Sequence, residues 1–136
     1  VLFSFGFKYG APVDVNVIWD VRFLPNPYWV EELRPQTGRV DKVATYVLES
    51  DEGRGFLTLL KPMITFLIEQ NSAAGKKSLH LGIGCTGGRH RSVAVTEALA
   101  DFGILNGMAG TNNLKTTGWG ENFLPTGLRR WVKFTW

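Results

Sequence analysis

SLHLGIGCTGGRHRSVAV, residues 78–95, carries the reading of the fold. Ser78 to Gly84 is an apolar run of strand length, read as a central strand. Ser92 to Leu105 reads as the following helix, with Val93, Val95, Ala98, Leu99 and Phe102 on one side. Between them stand the only cysteine, Cys85, a Gly-Gly pair and Arg89-His90-Arg91. In α/β sheets, ligands bind beyond the carboxyl ends of strands, beside the helix N-termini that follow. Gly87 and Gly88 permit a tight turn that converges backbone N–H groups, and the helix adds unpaired N–H groups and the positive end of its dipole. Thr86 and Ser92 bring hydroxyls, with Ser92 also expected to cap the helix. Arg91 and Arg89 bring charge, and arginine can hold a phosphate through two parallel donors. A glycine turn with solvated arginines explains each part alone; their convergence points to an anion pocket. His90, inside the loop, joins the set as a binding or supporting residue. The phosphate-loop pattern GxxxxGK[ST] occurs nowhere, so ATP hydrolysis is not expected.

Val1 to Lys8 reads as a strand, and Val15 to Val21 as a buried parallel strand. Asp41 to Glu49 reads as a helix with Asp41 as N-cap candidate, and Val43, Tyr46 and Val47 at helical spacing. Glu52 to Gln70 reads as a second helix with Phe56, Leu59, Leu60, Met63, Ile64, Leu67 and Ile68 on one face. Pro62 inside it predicts a kink, or a start near Lys61. Strand, helical connection, strand and helix make an α/β fold: a layered, largely parallel sheet with helices packed on it and a ligand site at the carboxyl rim. Residues 1–105 form that domain; residues 106–136 read as a divergent, partly ordered tail rich in Gly, Asn and Thr, in which Leu128 to Trp136 offers an edge strand.

At 136 residues, 44% hydrophobic and 20% charged, the chain is one globular domain. No apolar run reaches the roughly 18 residues of a membrane span. The opening VLFSFGFKYG has no charged n-region, so no signal peptide is read; without an initiator Met, the chain is expected to be a processed form or part of a longer protein. A single cysteine excludes a disulfide framework, and with His80 and His90 the only histidines, no metal site or cofactor is expected. The expected compartment is the cytoplasm. A formal charge of +3 suits an anionic partner without requiring one.

DVRFLPNPYW, residues 20–29, follows the second strand and so reaches the same rim. Arg22 is either a structural ion pair with Asp20 or a second charge on the ligand. Asn26, Tyr28 and Trp29 offer an amide, a phenol and a flat ring, suited to a sugar or base. Packing around two prolines competes, and for Trp29 it is the stronger account. Arg34 reads as solvated or loop-pinning, and His80, inside the strand, as a core or half-buried residue without chemistry.

One enzyme reading stands beside the receptor. Cys85 to Arg91 is C-x5-R followed by Ser92, the pattern of cysteine-dependent phosphatases: Cys85 as nucleophile, Arg91 as clamp, Asp20 as acid. Such enzymes carry His before the cysteine, where this chain has Gly84. The competing reading, which we favour, makes Cys85 a small residue packed beneath the loop.

FSFGFKYG (3–10), DVRFLPNPYW (20–29), ELRPQTG (32–38) and GCTGGRHRSV (84–93) together resemble the C-terminal domain of the RapZ family of RNase adapter proteins and its YvcJ-type relatives. The resemblance covers residues 3 to 102. It implies a fold like part of a phosphofructokinase, and a pocket for glucosamine-6-phosphate contacted by Thr86, Gly87 and Arg91. It also implies small-RNA binding, an endoribonuclease partner, homo-oligomers and a preceding kinase-like domain. The family places a histidine where this chain has Tyr28, and ends in a strand and basic tail that residues 106–136 do not match. The combined reading is a non-catalytic, cytoplasmic sensor for a phosphosugar, phosphate or sulfate anion, binding through Thr86, Gly87, Gly88, His90, Arg91, Ser92, Arg22, Asn26 and Tyr28. It is coupled to RNA or protein. The other alternative is an RNA- or protein-interaction domain whose loop serves the phosphate backbone.

Overall fold

The computed structural model describes residues 1–105 and 130–132. The elements are β1 (Leu2–Gly6), β2 (Val17–Asp20), α1 (Asp41–Leu48), α2 (Asp51–Ala73), β3 (Leu81–Cys85), α3 (Arg91–Leu105) and β4 (Arg130–Val132), with single 3-10 turns at Phe7–Tyr9 and Pro27–Trp29. The sheet order is β2-β3-β1-β4. β3 pairs in parallel with both β1 and β2, and β4 joins β1 antiparallel. This is the expected α/β architecture, a parallel three-stranded sheet with helices packed against it. β4 falls inside the edge strand expected over Leu128 to Trp136; the remaining expectation of a partly ordered tail lies outside the described residues.

The core follows from alternation along β3. Leu81, Ile83 and Cys85 point into one cluster with Leu60, Ile64 and Ile68 of α2 and Ala94, Val95 and Leu99 of α3. On the other side of β3 stand Gly82 and Gly84, and the rings of Phe5 and Phe7 occupy the space that side chains there would fill. A Cβ on Gly84 would lie 2.6 Å from both rings. The phosphatase histidine has no room at this position.

Five local expectations change. β2 is parallel but is an edge strand with alternating exposure, one face half-buried and the other exposed. Asp41 is the first residue of α1 and not its cap; Val40 precedes it without a side-chain hydrogen bond. α2 runs unbroken through Pro62 and starts earlier, where the Ser50 hydroxyl accepts from the Gly53 amide at 3.0 Å. Pro62 sits on the exposed side, where water can serve the carbonyl it leaves without an amide. Leu59 and Met63, expected in the buried face, are 75% and 49% exposed. His80 precedes β3, with its ring 3.1 Å from the Asp14 carbonyl.

Candidate anion-binding site

At the carboxyl ends of β1 and β3 lies a cavity of about 760 Å³. Four stretches of chain wall it. The glycine loop gives Cys85, Thr86, Gly87, Arg89, His90 and Arg91; the turn after β2 gives Asn26, Tyr28 and Trp29; the next loop gives Glu31, Arg34 and Pro35; the 3-10 turn after β1 gives Lys8 and Tyr9. Parallel pairing sets this register. Gly6 sits opposite Cys85 and Asp20 opposite Gly84, so the chain leaves all three strands at one rim.

The glycine loop is held from below. Gly88 adopts φ +66°, the left-handed region glycine favours, and a Cβ there would lie 2.6 Å from the Gly6 amide nitrogen. The Lys8 amide donates to the Thr86 carbonyl at 3.2 Å and the Gly38 amide to the Arg89 carbonyl at 3.0 Å. The loop is thereby fastened to β1 on one side and to residues 34–38 on the other.

Arg91 is the centre of charge. It is 6% exposed, and Nη1 donates to the Arg22 carbonyl at 2.5 Å and the Leu24 carbonyl at 3.3 Å. Nη2 reaches the Thr86 hydroxyl at 3.4 Å, while Nε is buried with no partner. Among the described residues no carboxylate lies within ion-pair distance of it. Four cations therefore face the cavity, from Lys8, Arg34, Arg89 and Arg91, against one carboxylate from Glu31.

A family model for the RapZ C-terminal domain matches residues 1–111. The chain belongs to that family. It is 52% identical over 101 residues to a nucleotide-binding protein of Thermoanaerobacter sp. (strain X514), covering 74% of this chain and 36% of that protein. It is 54% identical over 96 residues to one from Nitratidesulfovibrio vulgaris, covering 71% and 33%. One from Bacillus licheniformis is 48% identical over 99 residues, covering 73% and 34%. The chain thus spans about a third of the length of the relatives it matches.

Within this RapZ C-terminal domain, the residues expected at the site separate into two groups. Thr86, Gly87, His90, Arg91, Asn26 and Tyr28 meet at the cavity. Gly88, Ser92 and Arg22 are not in its wall. Gly88 shapes the loop from beneath. Ser92 is the second residue of α3, inside the helix where a cap was expected, fully buried, with its hydroxyl 3.1 Å from Cys85 Sγ. Arg22 forms the ion pair with Asp20: Nη2 to Oδ2 is 2.6 Å, Nε lies 3.0 Å from both carboxylate oxygens, and the Arg22 amide adds a bond at 2.9 Å. Its guanidinium also lies 4.2 Å from the Phe7 ring centroid.

That pair decides the protonation of Asp20. The Arg22 guanidinium holds its carboxyl below the ordinary range; burial opposes the shift, and the Arg22 amide and the charge of Arg91 add to it. His90 moves down as well, first because burial disfavours its charged form. The carbonyls of Arg34 and Gln36 pull the other way, and the charges of Arg89 and Arg91 depress it further. His90 Nε2 lies 3.0 Å from the Arg34 carbonyl, and Arg89 donates to the Pro35 carbonyl. Both side chains pin the 34–36 loop. Arg34 in turn donates to the Tyr28 carbonyl at 2.6 Å and lies 4.9 Å from the centroid of its ring.

Lys8, Tyr9 and Glu31 are site residues the sequence did not mark. The one available signal was the placement of Lys8-Tyr9 at the end of a strand, the position that made Cys85 and Asp20 candidates. Trp29, 75% exposed, meets Tyr28 edge-on at 5.1 Å on the rim. Among the described residues no helix is long and apolar enough to cross a membrane, and no group of three His, Cys, Asp or Glu side chains could hold a metal.

Proposed function

We propose that this domain is a receptor for a small phosphorylated ligand, performs no chemistry on it, and passes the binding event to an RNA or protein partner in the cytoplasm. Arg91 carries the reading. A buried guanidinium given only carbonyls and a hydroxyl, with Nε unpartnered, is costly to keep unless an anion completes it. It stands beside the glycine loop, in a cavity of the size that holds small ligands. Four cations and one carboxylate suit a ligand with a phosphate at one end and an ammonium at the other. An amino-sugar phosphate of the glucosamine-6-phosphate type meets that description, with Glu31 facing the ammonium and the Tyr28 ring beside the sugar. The relatives' description as nucleotide-binding proteins is in keeping with a phosphate-bearing ligand. Small-RNA binding and an endoribonuclease partner belong to the same reading through the family.

The test is a phosphorus NMR titration with glucosamine-6-phosphate. The phosphate line shifts or broadens with the wild type, stays unmoved with Arg91→Ala, and yields no inorganic phosphate. A line unmoved by the wild type overturns the phosphosugar assignment.

The contact of Cys85 Sγ with the Ser92 hydroxyl favours a second reading, a cysteine-dependent phosphatase. There the thiolate would form an S–P bond as the P–O bond to the sugar breaks, and the departing oxygen would need a proton. Asp20 is a poor donor for it, because Arg22 holds the carboxylate ionised. Inorganic phosphate released by the wild type and not by Cys85→Ser would establish this reading.

A further inference from the structure

Cys85 stands in two places at once. Its side chain belongs to the core cluster with Ile83, Ala94 and Leu99, and it also forms part of the cavity wall beside Thr86, Gly87 and Arg91. It is 3% exposed, and its Sγ lies 3.1 Å from the Ser92 hydroxyl. The receptor reading leaves this nucleophile without a task. Arg91 is an independent sign of what the site accepts. It is 6% exposed and lines the same cavity, with Nε buried and unpartnered. A buried cation with an unfilled donor calls for a negative oxygen.

We propose that Cys85 is a modification site at which a hydroperoxide converts the thiol to a sulfenic acid, and that the added oxygen closes the anion pocket. Sγ attacks the outer oxygen of the peroxide, and an S–O bond forms as the O–O bond breaks. Sulfur is oxidised and the peroxide reduced; the departing oxygen takes the thiol proton and leaves as water or an alcohol. That oxygen gains negative charge as it departs, and the Arg91 guanidinium and the loop amides are donors placed to meet it. Burial selects the reagent. The core fills the space behind Cys85, so a small peroxide reaches it through the cavity and a protein thiol does not. The new oxygen has the same single opening, and there it occupies the ground a phosphate would take. The chain holds no second cysteine, so no internal disulfide resolves the sulfenic acid. A small thiol does so from outside: it displaces water to give a mixed disulfide, and a second molecule of it returns Cys85 to the thiol. The closure rests on the receptor reading; the modification does not.

Treatment with hydrogen peroxide and then a 1,3-dione tests this, read by peptide mass spectrometry. The dione tags sulfenic acids and not the sulfoxides of the two methionines. The tag on Cys85 is expected at least about threefold faster in the native chain than in the urea-unfolded chain, because the site assists the step. Saturating inorganic phosphate slows it. Peroxide lowers the calorimetric affinity for inorganic phosphate about tenfold or more, a small thiol restores it, and Cys85→Ser shows no such change on treatment. Absence of the tag, or a tag confined to the unfolded chain, overturns the proposal. A fully tagged chain with unchanged phosphate affinity overturns it too. If the untreated chain takes up no phosphate while its Cys85 is tagged, the receptor reading fails and the closure with it, and the modification stands.

Discussion

Nη1 of Arg91 donates to the carbonyl of Arg22 at 2.5 Å, so the residue best placed to meet an anion also fastens the loop after β2 to the start of α3. Ligand affinity and loop order are therefore joined at one guanidinium. Arg91→Ala removes a charge-assisted contact of about 1.5–3 kcal/mol, and the affinity for a phosphate probe should fall between about tenfold and a hundredfold. Arg91→Lys keeps the charge but not the planar fork, and should bind nearly as weakly. Calorimetric titration of both variants checks this; a loss smaller than about threefold in Arg91→Ala would remove Arg91 from the binding site.

Gly88 and Gly87 are adjacent but differ in what they tolerate. Gly88→Ala forces a side chain into φ +66° and against the Gly6 backbone, a cost of about 1–3 kcal/mol or more. Gly87→Ala meets only the end of the Lys8 side chain, at 4.0 Å, and should cost less than about 0.5 kcal/mol. Urea unfolding midpoints for the pair give the comparison. Equal losses would mean that the loop is not held as described.

Gly84→Ala tests the aromatic side of β3. The added methyl lies 2.6 Å from the rings of Phe5 and Phe7, and overpacking of this kind costs about 1–3 kcal/mol. Phe7→Leu, which shortens one of those rings, should recover part of the loss. Absence of any recovery would locate the strain elsewhere.

Stability should also respond to pH through His90. Its folded pKa is depressed, so the unfolded chain binds the proton more readily. The stability His90 contributes is complete above its unfolded value, near 6.5, and is lost as pH falls from there through the folded value. Thermal melts between neutral and acid pH should show this fall, reduced in His90→Gln, whose amide can still donate to the Arg34 carbonyl. An identical fall in the variant would assign the dependence to other groups.

The strand–loop–helix of residues 78–105 was legible because glycine, arginine and hydroxyl residues signal a tight anion turn within a few positions. The family was legible from four short motifs in order, and the fold class from the alternation of element types. Lys8 was not legible, since the turn after β1 reaches the site only through a register set by distant pairing, Gly6 opposite Cys85. Pro62 does not start the helix near Lys61; helix rules count its missing amide and not the side of the helix on which it falls. Arg22 and His90 could not be sorted from pattern alone. A cation or imidazole in a binding loop looks the same in sequence whether it faces a ligand or holds a neighbouring residue.

β1 imposes an order on folding. Its partners are β3, where Leu2 meets Leu81, and β4, where Leu2 meets Val132; it makes no hairpin with the strand that follows it in the chain. During synthesis its five buried residues emerge before β3 and have no strand of this sheet to join until β3 follows, after both intervening helices. Such non-local pairing slows the search for the native state and leaves an apolar segment waiting. The nascent chain, more than the finished domain, is where this protein needs shelter from aggregation.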